Sequence, residues 1–260
     1  MKWRLVPLAA RSGAWNMAID ETLLVVCGKN RQPVLRFYTW EPPAVTIGRH
    51  QRMQNAVSLE ACRKNNIEVI RRITGGRAVL HHHELTYCVI VPEEHLPQPV
   101  TVAQSYKLIA DCLVKGLRRF GINAEATLPE TMIGRKNSSV TSCFETLSVY
   151  EINIGGKKLA GSAQARKNGI ILQHGSLLLD MDIELYMLLF GKMKENRFTT
   201  LYQELGYLPD VQELCSKMVE GFRENMNMSL IIDDLHPAEE EEAYFLTLNK
   251  YTSAIWNEKQ

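Results

Sequence analysis

Cys143 is the residue best placed for covalent chemistry. It lies in the small-polar run Ser138-Ser139-Val140-Thr141-Ser142-Cys143-Phe144-Glu145, whereas Cys27, Cys62, Cys88, Cys112 and Cys215 lie in apolar, periodic segments. A buried cysteine packs as a small hydrophobe, but an exposed one beside a cation can be a nucleophile. A free thiol has a pKa of about 8.5 and is mostly protonated at neutral pH. A lysine ammonium a few ångströms away would favour the thiolate and could polarise a thioester carbonyl. Lys157 and Lys158 open the run Gly155-Gly156-Lys157-Lys158-Leu159-Ala160-Gly161-Ser162-Ala163-Gln164. Their plain reading is a solvent-facing turn. Gly161, Ser162 and Ala163, however, leave little volume in mid-strand, as close approach of a ligand or another backbone requires.

A second constellation is Arg71-Arg72-Ile73-Thr74-Gly75-Gly76-Arg77-Ala78-Val79-Leu80-His81. Adjacent glycines let a backbone pass close to a ligand, and exposed amides there can hold an anion or a carbonyl oxygen. The flanking arginines would add charge-assisted bonds. The run fits neither a Walker loop nor G-x-G-x-x-G, so an ordinary glycine turn between strands is an equal alternative. In His81-His82-His83 a strand would place His81 and His83 on one face, and no third ligand follows at a useful spacing, so no metal is expected. His174, inside an apolar run, reads as a core histidine.

The elements that must position these residues follow from periodicity. Strands are expected over 3–8, 34–38, 45–47, 68–71 and 85–91, and helices over 16–27 and 59–64. The clearest helix begins at Thr101, which forms a capping box with Gln104 and ends at Gly121. The polar stretch 128–142 reads as a long surface loop, a common home for function. Strands over 148–154, 158–166 and 169–179 follow as an antiparallel meander, with turns at Gly155-Gly156 and Lys167-Asn168-Gly169. Helices then span 183–190, 200–205, 211–225 and 237 onward, with a short strand at 229–232. Mixing without strict βαβ alternation predicts an α+β fold.

Composition excludes several classes. Among 260 residues, 30 basic and 29 acidic side chains leave a net charge of +1. That argues against a nucleic-acid binder dominated by phosphate contacts. No run of about 18 apolar residues suggests a membrane span, and the first residues do not read as a signal peptide. The cysteine spacing suggests neither a disulfide framework nor zinc, so a reducing, cytoplasmic setting is the simplest. Arg71, Arg72 and Arg77, the pair Arg118-Arg119, the group Lys157, Lys158, Arg166 and Lys167, and the acidic block Glu239–Glu242 read most simply as solvated helix faces. The alternative is a basic cluster that receives an acidic ligand or partner.

Taken together, the segments resemble the biotin/lipoate protein ligase superfamily. The resemblance is carried by Arg72–His81, Glu84-Leu85-Thr86-Tyr87, Lys158–Gln164 and Gln173-His174-Gly175-Ser176, by Asn16–Glu21 near the start, and by Lys250–Asn257 near the end. It spans nearly the whole chain. Within the superfamily the sequence is most similar to octanoyltransferases of the LipM type, through Ser142-Cys143-Phe144 and Tyr150-Glu151. The resemblance implies a single catalytic domain over 1–260 without an accessory C-terminal domain. It also implies mixed, largely antiparallel sheets flanked by helices.

The same resemblance implies transfer of an octanoyl group from octanoyl–acyl carrier protein, through a thioester on Cys143, to a lysine of a lipoyl-accepting protein such as the apo glycine cleavage H protein. Cys143 and Lys158 would be catalytic. Arg72, Thr74, Gly75, Gly76, Arg77, His81, Gly161, Ser162 and Ala163 would bind substrate. Neither ATP nor a metal would be required, and neither nucleic acid nor membrane would be a partner. The rivals are an ATP-dependent lipoate–protein ligase, which shares the fold and the lysine but needs no cysteine, and a non-catalytic protein that binds lipoyl domains or acyl carriers.

Overall fold

The computed structural model describes residues 2–127, 151–192 and 197–259. Cys143, the expected loop over 128–142 and the first part of the strand expected over 148–154 lie outside them. The chain begins β1 (Lys2–Arg11), α1 (Gly13–Asn30), β2 (Val34–Trp40), β3 (Ala44–Ile47), α2 (Met53–Ala56), α3 (Leu59–Lys64) and β4 (Glu68–Arg71). It continues with β5 (Val79–His81), β6 (Glu84–Pro92), α4 (Val102–Arg119), β7 (Glu125–Thr127), β8 (Glu151–Ile154), β9 (Lys157–Lys167) and β10 (Ile170–Leu178). The last elements are α5 (Ile183–Phe190), α6 (Leu201–Leu205), α7 (Val211–Met226), β11 (Ser229–Ile232), α8 (Pro237–Leu246) and α9 (Ala254–Asn257).

Helix starts follow the side chains available to cap them. Ser12 accepts from the Trp15 amide to open α1, and Asp182, Thr200 and Asp210 do the same for α5, α6 and α7. The capping box of α4 is formed as expected, with Thr101 N–H donating to Gln104 at 2.8 Å and Gln104 N–H to Thr101 at 3.2 Å. Each cap satisfies a donor that the helix leaves orphaned. One helix from 237 onward was expected. Instead α8 loosens into a π turn at Thr247–Tyr251, and Ser253 caps a separate α9.

The main sheet has the order β11-β1-β2-β6-β10-β9-β8-β7, and a smaller one the order β4-β3-β5. β1 runs parallel to both β2 and β11, because helices carry the chain back between them. From β2 to β7 every pairing is antiparallel. The α+β reading with largely antiparallel sheets therefore holds. One face of the main sheet packs on α4 and α7 through Leu35, Phe37, Val89, Ile109 and Leu113. The other packs on α1 and α8 through Val34, Met17, Ile19, Leu23 and Ala243.

The reading of clustered charges as solvated faces fails at Arg71, Arg72, Lys158 and Glu239. Arg71 is 1% exposed, and its guanidinium donates to the carbonyls of Gly48, Arg49, Gln51, Trp256, Asn257 and Lys259. Arg72 is also buried. In the acidic block, Glu239 is buried in a two-point ion pair with Arg4, with both bonds at 2.7 Å. These guanidiniums sit where main-chain carbonyls converge, so each charge is lodged among acceptors. Arg119 fits the solvated reading, lying on the surface against Glu220 and Glu224.

α4 and α7 touch at Gly116 and Gly221. A Cβ on Gly221 would lie 2.4 Å from both the Cys112 oxygen and the Gly116 nitrogen, which are backbone atoms that cannot swing away. Gly221→Ala should therefore cost about 1–3 kcal/mol through overpacking, read as a lower urea midpoint in chemical unfolding. An unchanged midpoint would show that the helices separate freely.

Candidate functional site

A cleft of about 330 Å³ opens on the α1 side of the main sheet, against β3 and β5 of the small one. Its walls come from Tyr38 and Trp40 of β2, Gly161 and Ala163 of β9, and His174 and Ser176 of β10, joined by Thr46, Arg72, Val79 and His81. Strand alternation explains the selection. On β2, Arg36, Tyr38 and Trp40 share this face, while Leu35 and Phe37 enter the core on the other.

A β-bulge decides where Lys158 sits. Ile152 of β8 pairs with Ala160, but Asn153 pairs with Lys158, so Leu159 is an extra residue. Leu159 and Ala160 both enter the α4-side core. Lys158 is thereby returned to the face that carries Gly161 and Ala163. Strict alternation would have placed it with Ala160 and Ser162 on the other. Lys158 is 4% exposed, and its Nζ donates to Glu151 Oε1 at 2.6 Å. The solvent-facing reading thus holds for Lys157 and fails for Lys158.

Behind the cleft runs a buried polar chain. Asp20 Oδ1 accepts from Arg36 at 2.7 Å, and Oδ2 accepts from Tyr38 at 2.8 Å and lies 3.1 Å from His174 Nδ1. His174 Nε2 is 2.7 Å from Thr74 Oγ1, which accepts from Arg72 Nε at 3.0 Å. Arg72 Nη1 donates to Thr46 Oγ1 at 3.1 Å, and that hydroxyl lies 2.8 Å from His81 Nε2. His81 Nδ1 faces Glu84 Oε1 at 3.3 Å, Thr86 donates to the same oxygen at 2.7 Å, and Trp40 donates to Thr86 at 2.8 Å.

One set of proton positions satisfies each of these bonds, with Glu84 Oε2 left as a buried oxygen outside them. Both imidazoles donate from Nδ1 to a carboxylate and accept at Nε2 from a threonine hydroxyl. Burial lowers the His81 pKa despite Glu84, so His81 is neutral, and its ring stacks on Trp40 with centroids 3.8 Å apart. Burial alone would raise the Asp20 pKa. The bonds from His174 and Tyr38 and the charge of Arg36 outweigh it and hold the carboxyl below its ordinary value.

The structure treats the sequence-predicted residues unequally. Arg72, His81, Gly161, Ser162 and Ala163 line the cleft, although the Ser162 hydroxyl bonds Tyr87 at 2.7 Å. Thr74 lies behind the wall as the bridge between Arg72 and His174. Gly75 and Arg77 lend carbonyls to Arg72 Nη2, at 2.6 and 2.8 Å. Gly76 has φ +86°, and a Cβ on Gly48 would lie 2.0 Å from its oxygen. The glycine pair thus makes a tight turn under Arg72. His81 and His83 do not share a strand face, because β5 ends at His81 and the rings of His82 and His83 stack on each other. Among the described residues no set of three His, Cys, Asp or Glu is arranged to hold a metal.

Sequence reasoning missed Asp20, Arg36, Tyr38, Trp40, Thr46, Glu84 and Thr86 as parts of one network. The alternation of Arg36, Tyr38 and Trp40 was an available signal, since it places a cation and two aromatics with polar handles on one strand face. The five cysteines expected in the core are all buried there. Burial pushes Cys27, Cys112 and Cys215 up to about 12 and Cys62 to about 11. Burial raises Cys88 as well.

Lys158 does not line the slot itself but lies on the same face of the main sheet, and this arrangement defines a fold that comparisons with known proteins place. The family model "Lipoyl protein ligase A/B catalytic domain" matches residues 12–223, and the chain belongs to that family. It is 39% identical to octanoyltransferase LipM of Clostridioides difficile, over 100% of this chain and 99% of that one. It is 36% identical to octanoyltransferase LipM of Bacillus subtilis, over 99% and 98% of the two chains. It is also 40% identical to the namesake in Symbiobacterium thermophilum, over 98% and 97%. A crystal structure of lipoate-protein ligase A bound with ATP superposes with a TM-score of 0.83 at 25% identity, covering 99% of each chain. The bi-partite lipoate protein ligase of Thermoplasma acidophilum shares the fold, with a TM-score of 0.78 at 23% identity over 99% and 96%.

The depressed Asp20 pKa gives a pH prediction. Unfolded Asp20 titrates near about 3.9 and the folded group lower. Its stabilisation is therefore complete above about pH 5 and lost as pH falls through about 4 toward the folded value. Asp20→Asn should cost about 3–5 kcal/mol at pH 7 by orphaning a buried cation. The gap from wild type, measured by urea unfolding, should narrow below about pH 4. A gap constant down to pH 3 would contradict the assignment.

Proposed function

We propose that the protein transfers an octanoyl group from octanoyl–acyl carrier protein to a lysine of a lipoyl-accepting protein, with Cys143 as the acyl carrier. The observation that carries this reading is the slot itself. A half-open cleft walled by glycine, alanine and aromatic rings, on the sheet face that bears a buried ammonium, suits a linear acyl chain ending in a carbonyl. Burying such a chain contributes about 0.8 kcal/mol per methylene. The likeness to relatives named octanoyltransferase supports the octanoyl group as that chain. Its setting is then the biosynthesis of lipoate on protein.

The reaction balances in two steps. The Cys143 thiolate attacks the donor thioester, an Sγ–C bond forms, the donor C–S bond breaks, and the carrier leaves as a thiolate that takes up the proton Cys143 had released. The amine of the acceptor lysine then attacks octanoyl-Cys143. The N–C bond forms as the Sγ–C bond breaks, and the amine proton returns the cysteine to its thiol. Thiol–thioester exchange is close to energy-neutral and amide formation from a thioester is downhill, so neither step calls for ATP. Covalent catalysis divides one transfer between two large proteins into two simpler ones. Lys158 orients the thioester carbonyl and stabilises charge developing on its oxygen. The apo glycine cleavage H protein is the acceptor of choice, and other lipoyl domains belong to the same class.

Intact mass after mixing with octanoyl–acyl carrier protein, without ATP, tests the reading. Wild type should gain one octanoyl group and Cys143→Ala none. Adduct on the alanine variant would place the acyl group elsewhere. Transfer that needs ATP and a free acid would instead identify a ligase. Lys158→Ala should fold and lose about 100-fold or more in acylation rate, the scale of an oxyanion-stabilising group. Turnover near wild type would remove Lys158 from the mechanism.

A further inference from the structure

We propose that Glu151 is a positioning residue for Lys158 and acts on catalysis only through it. The inference rests on the acyl-transfer reading above. Glu151 and Lys158 are 7% and 4% exposed, and Nζ to Oε1 is 2.6 Å. The pair spans adjacent strands at the bulge, where Asn153 rather than Ile154 faces Lys158. The lysine backbone is fixed at the same place, since Lys158 N–H donates to the Arg197 carbonyl at 3.0 Å and its own carbonyl accepts from Thr199 at 2.9 Å. A bulge aims the side chain, and two main-chain bonds outside the sheet ladder hold its root. The remaining freedom lies in the four-carbon stem.

An ammonium on a flexible stem carries about 2 kcal/mol of rotamer entropy. A carboxylate already in contact selects one rotamer before any substrate arrives, and that is how preorganised groups act on a transition state. The same carboxylate compensates the cost of holding a charge away from water. Glu151 lies on β8 beside the lysine, across from Thr127. Its position is therefore set by the sheet. We infer no contact between Glu151 and substrate.

A double-mutant cycle on single-turnover acylation by octanoyl–acyl carrier protein tests this, with thermal melting of every variant. Glu151→Gln, which keeps shape and loses charge, should lower the rate at saturating donor about 10-fold or more. The half-saturating donor concentration should change less than about twofold. Glu151→Asp should fall between Glu151→Gln and wild type. In the Lys158→Ala background, Glu151→Gln should have less than about a twofold further effect, because a residue acting through another has nothing left to act on. Should Glu151→Gln not fold, the same cycle run with Glu151→Asp carries the test.

A Glu151→Gln rate near wild type would overturn the proposal, as would losses that multiply in the double variant. Those results leave the acyl-transfer reading standing if Lys158→Ala is slow. Lys158→Ala at the wild-type rate, or no adduct on wild type, would overturn both.

Discussion

A carboxylate placed between a sheet and the helix that covers it has no water to turn to, so it must be surrounded by donors. Asp20 meets that requirement with Arg36, Tyr38 and His174, drawn from β2 and β10. The partners come from strands flanking β6, which separates β2 from β10 in the sheet. The carboxylate therefore fixes α1 against two strands at once, bridging across β6. It also holds His174 Nδ1, and the hydrogen-bonded path runs on through Thr74 to Arg72 and then through Thr46 to His81. A half-satisfied version of such a network would be worse than none, because each orphaned group would carry its full desolvation cost.

This arrangement explains how a cleft with so many polar residues behind it can still be apolar. The donors and acceptors of Arg72, Thr46, Thr86 and His81 are turned toward one another. The cleft receives their carbon surfaces and the ring of Trp40. Neutral His81, stacked on that ring, adds no charge to the wall. The glycine turn contributes in the same way. Gly75 and Arg77 spend their carbonyls on Arg72, which locks the guanidinium against the small sheet.

Much of the fold was legible because helix and strand periods, caps and glycine turns are local. The capping box at Thr101, the breaks at Gly155-Gly156 and Asn168-Gly169, and the five core cysteines all lie where pattern alone placed them. Three things were not local. The short strands β5 and β7 exist only because neighbours pair with them. The burial of Arg71, Arg72 and Glu239 depends on hydrogen-bond partners as far as 235 residues away along the chain. The bulge at Leu159 is a mismatch between two strands, so no reading of β9 by itself could assign Lys158 to the face of Gly161. The network around Asp20 was half visible, as alternation on β2 and as the Asn16–Glu21 segment. Its closure through His174 is a property of sheet order.

The Arg71 guanidinium gathers carbonyls from Gly48, Arg49 and Gln51 on one side and from Trp256, Asn257 and Lys259 on the other. Asn257 returns the contact by accepting from the Arg71 amide, and Arg49 N–H donates to the Thr74 carbonyl just before the glycine pair. Residues 256–259 are thus a strut beneath the turn that shapes the cleft, although they lie far from it in sequence. A fusion or cleavage that pulled them away would strip three acceptors from a buried cation. The disturbance would travel one hydrogen bond further, into the wall of the slot, so the integrity of a pocket formed near residue 75 is guarded from the opposite end of the chain.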